Sequence, residues 1–416
     1  MNSKQSGRRR FLKEGAALAG LAVGAVRSAR GQTLGSEIPA ARAKDLRAYG
    51  EPSRFEKAAR ADLLTPLQDT LGIITPAALH FEVIRYRSGP PDIDPRQHRL
   101  LIHGLVDRPL IFTVEELKRL PSVSRIHFVE CAGNSSPIEV VTVLGRRKSE
   151  TVQQVHGLTA CSEWTGVQLS LLLKEAGVQK GAGWLLAEGA EPGQHTKSIP
   201  LEKAMEDVLV AYGQNGEAVR PEQGYPFRLL VPGWEGVSNV KWLRRIKVVD
   251  RPYMTKMEST GYVALWPSLG GKGRWFNFEM GPKSVITFPS GGHRLPGRGF
   301  YEITGLAWSG RGAIRRVEVS TDGGRSWKDA QLQEPVHRMA HARFRLPWNW
   351  EGEEAVLQSR CTDDQGDVQP SLAEFARTWG VKPDYFQATS NRVNHFNSIY
   401  PWKVTREGSV RNALFS

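Results

Sequence analysis

Cysteine is scarce in this sequence, with three residues among 416: Cys131, Cys161 and Cys361. Three thiols are too few for a disulfide framework, and an odd number leaves at least one of them unpaired. The sequence also lacks the Cys-x-x-Cys-His motif through which c-type haem is attached. We therefore expect neither a disulfide scaffold nor a haem group in this chain.

Long hydrophobic runs are absent as well. Beyond the N-terminal segment, no apolar stretch reaches the roughly 20 residues that a membrane-spanning helix requires. The content of 40% hydrophobic and 24% charged residues is that of a globular protein in water. We therefore expect no stable insertion into a membrane.

Acidic residues are in the minority, with 43 Asp and Glu against 56 Lys and Arg, and the net charge is +13. About half of this excess lies within the first 32 residues. The remaining bias fits anionic substrates or acidic partner surfaces. Nucleic acid is not an expected partner, because no basic run is interleaved with aromatic residues.

The N-terminus has the order of an export signal. Arg8-Arg9-Arg10-Phe11-Leu12-Lys13 fits the twin-arginine pattern, and the apolar segment 16–26 follows it. A basic tail before a short helix is the alternative interpretation. Twin-arginine export carries folded proteins and serves enzymes whose cofactor is inserted in the cytoplasm. We therefore predict a signal over residues 1–32 and a periplasmic location.

The length of the chain favours two domains of unequal size. Residues 33–75 are predicted to be a mobile or wrapping extension, followed by a first domain over 76–285. From 286 to 381, short strand-like segments alternate with polar breaks, and Asp322-Gly323-Gly324 is a hairpin signal between two of them. This spacing predicts a β-sandwich. Residues 382–416 have no clear period and are predicted to be a tail.

Local patterns in the first domain predict elements that lead to one turn. Strands are expected at 99–106, 126–129 and 228–231, and helices at 169–176 and 201–209. A further helix should begin after Thr113, because Glu116 stands three residues on and completes a capping box. The strand at 126–129 ends just before Cys131 and brings this thiol to a Gly133-Asn134 turn.

Cys131 is the candidate centre of the chemistry. A thiolate is a soft ligand that suits a thiophilic metal, and Gly133 permits a close approach of the backbone. Taken alone, a free cysteine is more often a small buried hydrophobic residue. A metal-free sulfurtransferase is a further hypothesis, with Cys131 as the nucleophile and His127 or His156 as its base.

Several separate motifs follow one another in a specific order. They are Phe128-Val129-Glu130-Cys131-Ala132-Gly133-Asn134, His156-Gly157-Leu158-Thr159-Ala160-Cys161-Ser162-Glu163-Trp164, Gln223-Gly224-Tyr225-Pro226-Phe227-Arg228-Leu229, Pro232-Gly233-Trp234-Glu235-Gly236, Asn239-Val240-Lys241-Trp242 and Gly305-Leu306-Ala307-Trp308-Ser309-Gly310. These motifs occur in the same order in the sulfite oxidase family, which the chain resembles over about residues 76–380. Within that family it resembles the molybdenum subunits of bacterial sulfane dehydrogenases, also called sulfite dehydrogenases, of thiosulfate-oxidising bacteria.

The resemblance implies an α+β fold. A mixed α/β molybdopterin-binding domain of the sulfite oxidase type would be followed by an immunoglobulin-like β-sandwich that pairs two subunits into a homodimer. The implied cofactor is molybdenum held by molybdopterin, and the implied reaction is oxygen-atom transfer to sulfur. Since the chain has no haem motif, a separate c-type cytochrome subunit would accept the electrons.

The resemblance also assigns roles to individual residues. Cys131 would be the metal ligand. The catalytic residues would be Cys131, Arg85 and Tyr262. The residues expected to contact the cofactor are Val83, Ile84, Arg85, Tyr86, Arg87, Glu191, Gln223, Arg228, Asn239, Val240 and Lys241. Arg228 and Lys241 can meet a phosphate, whereas without the resemblance both would be taken for surface charges. The amides of Gln223 and Asn239 suit the edges of a pterin.

Other side chains are expected to support the site or the core. Trp164 should pack near the turn that carries Cys131, or simply fill the core. Arg343 or Arg345 is expected to reach the site from the second domain. Cys161 and Cys361 are interpreted as core thiols.

The chain departs from the family just after Asn134, where two arginines usually stand and Ser135 and Ser136 are found here. Arg87 and Gln223 likewise stand where the family has histidines. One fixed positive charge fewer should weaken the binding of a small dianion such as sulfite. The sequence therefore favours a larger substrate, a sulfur chain attached to a carrier protein.

Alternatives remain within and outside this family. A plain sulfite dehydrogenase is one, and a sulfoxide or nitrate reductase on the same fold is another. The sequence does not set the direction of the reaction, because the redox potential depends on the surroundings of the metal. A non-catalytic periplasmic binding protein is disfavoured, because a protein without a cofactor rarely requires export in the folded state.

The export signal generates a testable prediction. Replacing Arg8 and Arg9 by Lys keeps the charge of the segment but removes its paired guanidinium groups. The variant should therefore remain folded in the cytoplasm, as measured by cell fractionation and immunoblotting. Arg27→Lys, beyond the apolar segment, is the matched control and should be exported normally. Wild-type periplasmic recovery of the double variant would reject the twin-arginine assignment.

Overall fold

The computed structural model describes residues 63–83, 89–136, 150–270, 272–276, 278–388 and 395–415, together with the backbone of 141–142 and 145–146. The predicted export signal and most of the predicted extension lie outside these ranges. The described residues belong to one compact unit, 58–416. No helix among them is long and apolar enough to cross a membrane.

Strands dominate the described chain, and its helices are short. The α-helices are α1 (Val114–Lys118), α2 (Val152–His156), α3 (Leu169–Ala176), α4 (Leu201–Glu206) and α5 (Leu372–Thr378). The strands are β1 (Arg99–Gly104), β2 (Leu110–Thr113), β3 (Val123–Glu130), β4 (Val141–Thr142), β5 (Gly145–Arg146), β6 (Thr159–Gln168), β7 (Trp184–Gly189), β8 (Thr196–Pro200), β9 (Leu209–Gln214), β10 (Glu217–Ala218), β11 (Arg228–Leu230), β12 (Leu243–Val249), β13 (Val263–Trp266), β14 (Gly273–Phe276), β15 (Lys283–Phe288), β16 (Gly299–Trp308), β17 (Ile314–Ser320), β18 (Lys328–Asp329), β19 (Gln331–Leu332), β20 (Ala342–Trp350), β21 (Ala355–Asp363), β22 (Trp402–Val404) and β23 (Val410–Asn412). A π-helical turn covers Met257–Gly261.

Two five-stranded sheets form the first domain. One has the order β2-β1-β12-β7-β8, in which β1 and β12 run parallel and the other neighbours antiparallel. The other has the order β10-β9-β6-β3, with β11 paired to β9. Apolar side chains of both sheets and of α3, such as Leu100, Leu173 and Leu229, share one core. Cys131 follows directly on the last residue of β3.

The predicted helices are found, with one change of length. Thr113 and Glu116 form the expected capping box: Thr113 Oγ1 accepts from the Glu116 amide at 3.1 Å, and the Glu116 carboxylate accepts from the Thr113 amide at 2.8 Å. α3 has its predicted bounds, and Gly177 ends it with φ 72°. α4 ends at Glu206, earlier than predicted, because Leu209 already begins β9 in the sheet core.

The second domain is a β-sandwich. One sheet has the order β15-β16-β20-β19 and the other β18-β17-β21-β22-β23. The predicted hairpin joins β17 to β18, where the Asp322 carboxylate accepts from the Ser326 amide at 2.9 Å and Gly323 has φ 76°. The predicted fold class, a mixed α/β domain followed by a β-sandwich, is therefore confirmed.

Residues 395–415 are not the separate tail that the sequence suggested. β22 and β23 extend the second sheet beside β21, and Phe396, Tyr400 and Trp402 are buried in the core of the sandwich. The prediction was wrong because strands of three residues are too short to show an alternating pattern. The sandwich also begins slightly before residue 286, since β15 starts at Lys283.

The described end of the predicted N-terminal extension packs on the body of the chain. Leu64 and Leu67 are buried, and the Thr75 amide donates to Cys161 O at 2.7 Å. Residues 63–75 therefore wrap along the domain, one of the two behaviours that the sequence left open for this segment.

Two glycines bring the backbones of the two domains into direct contact. Gly233 follows β11 with φ 75°, and Gly310 follows β16. Met280, on the segment that links the domains, donates from its amide to Gly233 O at 3.0 Å and accepts from the Gly310 amide at 2.7 Å. A Cβ at position 310 would lie 2.0 Å from Gly233 O and 2.7 Å from Met280 O. A side chain at position 310 would therefore push the two domains apart.

Gly310→Ala should lower the free energy of unfolding by about 3 kcal/mol, because the atoms in the way of the new methyl group are backbone atoms. Urea denaturation followed by circular dichroism measures the loss. Gly297→Ala is the control, since a Cβ there meets no heavy atom within 4 Å, and it should change the free energy by less than about 0.5 kcal/mol. Equal stability of the two variants would show that the glycine contact does not set the packing of the domains.

Candidate active site

A cavity in the first domain is lined by residues that follow strands of both sheets. Glu191 follows β7 of one sheet, while Cys131 follows β3 and Arg228 begins β11 of the other. The residues that line the cavity are His80, Phe81, Val83, Val129, Cys131, Glu191, His195, Gln223, Arg228, Gly236, Val237, Asn239, Val240, Lys241, Trp242 and Tyr262.

The turn that carries Cys131 is fixed by hydrogen bonds to the neighbouring strand. The Cys131 amide donates to Leu158 O at 2.9 Å, and the Asn134 amide donates to Cys131 O at 2.9 Å. Asn134 Oδ1 in turn accepts from the Leu158 amide at 3.0 Å. Cys131 is partly exposed, whereas Cys161 and Cys361 are buried. Cys131 is therefore the thiol that reaches the cavity.

Arg228 is a buried cation in the wall of the cavity. Its guanidinium lies 4.8 Å from the centre of the Trp164 ring, and it donates at 3.4 Å to Gln223 Oε1 and to Asn239 O. Its Nε has no hydrogen-bond partner among the described residues. Burial lowers the pKa of Arg228 to about 9. A charged side chain in this position requires an anion from outside the described chain.

Lys241 faces the same cavity and is held by backbone oxygens. Its Nζ donates to Glu222 O at 2.8 Å and to Val83 O at 3.2 Å. Burial is the main cause that lowers the pKa of Lys241 to about 7, and the charge of Arg228 lowers it further. Arg228 thus disfavours the charged form of Lys241, and a bound anion would oppose this effect.

Gln223 and Asn239 stiffen the wall through the backbone. Gln223 Nε2 donates to Phe81 O at 2.9 Å. Asn239 Oδ1 accepts from the Val231 amide at 2.8 Å, and its Nδ2 donates to Glu235 O at 3.2 Å. Most of their amide atoms are therefore engaged within the protein, and the expected contact with pterin edges stays a prediction.

Glu191 and Tyr262 complete the polar part of the lining. Glu191 Oε1 accepts from the His195 amide at 2.9 Å, while its buried Oε2 has no partner in the described part of the chain. Burial raises the pKa of Glu191. Tyr262 follows the π-helical turn Met257–Gly261, a kind of turn that is frequent at functional sites.

These residues fit an anionic cofactor that carries a thiophilic metal. Within the described ranges, no group of three or more His, Cys, Asp or Glu side chains could hold a metal ion. A metal at Cys131 would therefore depend on the cofactor for most of its other ligands. Arg228 and Lys241 supply the charges that an acidic group such as a phosphate requires. This donor set agrees with a molybdopterin-bound metal.

Most of the predicted site residues come together in this cavity. Those that line it are Val83, Cys131, Glu191, Gln223, Arg228, Asn239, Val240, Lys241 and Tyr262. Ile84, Arg85, Tyr86 and Arg87 lie outside the described residues, and their assignment stays a prediction. The sequence analysis missed His80, Phe81, Val129, His195, Gly236, Val237 and Trp242. The position of His80 and Phe81, just before the expected pterin-binding stretch, was the available signal.

The expectation that Arg343 or Arg345 reaches the site is wrong. Arg343 donates to Gly72 O at 2.9 Å and to Thr70 O at 2.8 Å, and so holds the N-terminal segment on the sandwich. Arg345 pairs with Glu302 at 2.7 Å on neighbouring strands of the sandwich. Each arginine is thus paired with residues that lie far from it in the sequence, and no local pattern indicates them.

The two histidines considered as bases do not line the cavity. His156 Nδ1 is 2.7 Å from Ser135 Oγ, and His127 Nδ1 is 3.4 Å from Met339 O. Ser135 itself is buried, with φ 60°. The arrangement therefore disfavours the metal-free sulfurtransferase that would use either histidine.

Cys161 and Cys361 belong to the hydrophobic core, as expected. Burial raises the pKa of Cys161 to about 12 and that of Cys361 well above its ordinary value. Both therefore stay protonated and are poor metal ligands.

Comparison with known proteins places two domain models on the chain. Residues 87–257 match the oxidoreductase molybdopterin binding domain, and residues 274–387 match the Mo-co oxidoreductase dimerisation domain. The first match contains Cys131 and most of the cavity, and the second contains most of the sandwich.

The chain is also similar to whole proteins. It is 39% identical to a chain of the sulfane dehydrogenase SoxCD from Paracoccus pantotrophus, with a TM-score of 0.77 over 89% of this chain and 94% of that one. It is 30% identical to the mitochondrial sulfite oxidase of Mus musculus over 75% of this chain and 60% of that protein. It is 33% identical to nitrate reductase [NADH] 1 of Arabidopsis thaliana over 67% of this chain. The chain spans about a third of the length of such nitrate reductases. It therefore belongs to the sulfite oxidase family of molybdopterin oxidoreductases.

Proposed function

We propose that the chain is the molybdenum subunit of an enzyme that oxidises sulfur. The preferred substrate is a sulfane sulfur attached to a carrier protein, and the electrons pass to a separate c-type cytochrome. The observation that carries this proposal is the cavity in which Cys131, Arg228 and Lys241 meet. The similarity to the sulfane dehydrogenase chain over nearly its full length supports the choice of substrate.

Four residues of the cavity would have a physical task in this reaction. When bound, a molybdenum cofactor supplies oxygen-atom transfer and storage of two electrons. Cys131 would hold the metal through its sulfur, while Arg228 and Lys241 would hold the acidic end of the cofactor. The Trp164 ring and the backbone oxygens keep the two cations in place. Tyr262, which lines the same cavity, would donate a hydrogen bond towards the reacting sulfur.

The turn after Cys131 supports a substrate of low charge. Ser135 is neutral and buried, and its Oγ lies 2.7 Å from His156 Nδ1, so this position adds no positive charge to the cavity. A neutral sulfur chain requires less fixed charge than a free sulfite dianion. A carrier protein that docks beside the cavity would raise the local concentration of its sulfur and compensate for weak intrinsic binding.

Two other reactions on the same site are the competing candidates. A plain sulfite dehydrogenase would use the same cofactor without a carrier, and the similarity to a sulfite oxidase supports it. Nitrate reduction has support from the nitrate reductases, whose match is confined to about a third of their length. Substrate assays separate the three candidates.

The location and assembly of the enzyme are part of the proposal. Arg8 and Arg9 support export through the twin-arginine route to the periplasm, where c-type cytochromes are assembled. The match of residues 274–387 to a dimerisation domain supports a homodimer formed through the sandwich.

The metal assignment predicts that the purified full-length protein contains about one molybdenum per chain by inductively coupled plasma mass spectrometry. Cys131→Ser should abolish turnover, because a hydroxyl is a poorer ligand for a thiophilic metal. Cys361→Ala, at a thiol buried in the sandwich, is the control and should keep its molybdenum. Full turnover of a wild-type protein that holds no molybdenum would refute the proposed reaction.

The substrate assignment predicts a higher kcat/KM for a sulfane-loaded carrier than for free sulfite, with one cytochrome as acceptor. Loss of one charged hydrogen bond should weaken free sulfite by about ten- to a hundredfold relative to an arginine-bearing site. Ser136→Arg should recover part of that affinity, whereas the uncharged Ser136→Gln should not. Equal or better efficiency on free sulfite would favour a plain sulfite dehydrogenase, and turnover of nitrate alone would favour the reductase.

A further inference from the structure

A buried acidic residue stands directly before Cys131 and has no part in the function proposed above. Glu130 is the last residue of β3, and its side chain is 0% exposed. Its carboxylate accepts three hydrogen bonds: from Asn134 Nδ2 at 2.8 Å, from Trp308 Nε1 at 2.7 Å and from Lys283 Nζ at 2.5 Å. Such a set of donors satisfies a buried carboxylate and holds it in one orientation.

The three donors connect the Cys131 turn to the second domain. Asn134 belongs to the turn itself, while Lys283 is the first residue of β15 and Trp308 is the last residue of β16. Lys283 Nζ also lies 3.4 Å from Ser135 Oγ. Lys283 therefore contacts the chain on both sides of Cys131, at Glu130 and at Ser135. The positive charge of this ion pair belongs to the sandwich.

The backbone around Cys131 is held from two further sides. A Cβ at Gly236 would lie 2.8 Å from Glu130 O and 3.4 Å from Cys131 Cα, so the cavity wall packs closely against the turn. The amide of His395, from the C-terminal segment, donates to Ala132 O at 3.1 Å. Because the backbone is enclosed in this way, removal of the carboxylate should shift the turn locally without unfolding the domain.

We infer that Glu130 is a positioning residue for Cys131 and that the second domain takes part in the active site through Lys283 and Trp308. The inference rests on the proposed function only in naming Cys131 as the metal ligand. The carboxylate orients the turn, and the two sandwich residues orient the carboxylate. Loss of interactions that orient a metal ligand typically changes metal affinity or activity by about 10- to 100-fold.

The test removes both charges together, because either single change leaves one buried charge without its partner. Glu130→Gln/Lys283→Met should keep a melting temperature close to that of the wild type. In the full-length chain made without the molybdenum cofactor, iodoacetamide should modify Cys131 severalfold faster than in the wild type, as followed by peptide mapping. Cys161 and Cys361 are buried and serve as internal references. In the cofactor-loaded enzyme, kcat should fall by about 10- to 100-fold while KM stays unchanged.

A matched control removes an ion pair that lies within the sandwich. Arg360 donates to the Glu318 carboxylate at 2.8 and 3.0 Å, between β21 and β17. Glu318→Gln/Arg360→Met should leave both the alkylation of Cys131 and kcat at wild-type values. If the double variant at 130 and 283 fails to fold, Glu130→Asp replaces it, since it keeps the charge and withdraws the carboxylate by one methylene group.

Two results would overturn the inference. One is wild-type alkylation and kcat in the variant at positions 130 and 283. The other is an equal effect of the control variant, which would show that the pair contributes only to general stability. Alkylation is measured without the cofactor, so an absence of molybdenum from the wild-type protein would refute the proposed function and leave this readout intact.

Discussion

Positive charge that forms no ion pair with a carboxylate of the described residues is the constraint on which the site depends. Arg228 is removed from water, yet among the described residues it has only long hydrogen bonds at 3.4 Å and the face of Trp164. Lys241 donates hydrogen bonds to two backbone oxygens and lies 5.3 Å from the centre of the Trp242 ring. Such burial opposes folding unless a ligand supplies the missing anion. The cavity is therefore built for an acidic ligand, and the cofactor would stabilise the fold that binds it.

The remaining architecture brings one sulfur to the same cavity as these charges. β3 ends at Glu130 and presents Cys131, while its antiparallel neighbour β6 fixes the strand along eight paired residues. The turn is then fastened to the second domain by Lys283 and Trp308. The sandwich is thus joined to the turn that carries Cys131 by charge, and to the first domain by the Gly233 and Gly310 contact. It is more than a separate module for pairing subunits.

Features set by neighbouring residues could be predicted from the sequence. The capping box at Thr113, the end of α3 at Gly177 and the hairpin at Asp322 each depend on a few adjacent positions. The position of Cys131 at the end of a strand followed from a local apolar pattern in the same way. The cofactor residues were assigned by resemblance to a family, since no local pattern separates Arg228 from a surface arginine.

Features set by distant residues could not be predicted. Lys283 lies 153 positions from Glu130, and nothing near either residue indicates the other. Arg343 was expected at the site, but its partners are backbone oxygens in the segment before the first domain. β22 and β23 are too short to show a sequence period. They form because β22 pairs with the edge of β21 and β23 pairs with β22. In each case a tertiary contact decides the outcome.

The most direct test of the account is the pterin content of the full-length protein, measured by fluorescence after oxidative release from the wild type and from Arg228→Met. Methionine removes the buried charge and keeps most of the side-chain volume. Arg325→Met, an exposed arginine in the sandwich hairpin, is the control. The account predicts about one pterin per chain in the wild type and the control, and a large loss in Arg228→Met. Equal pterin content in all three proteins, or none in the wild type, would contradict it.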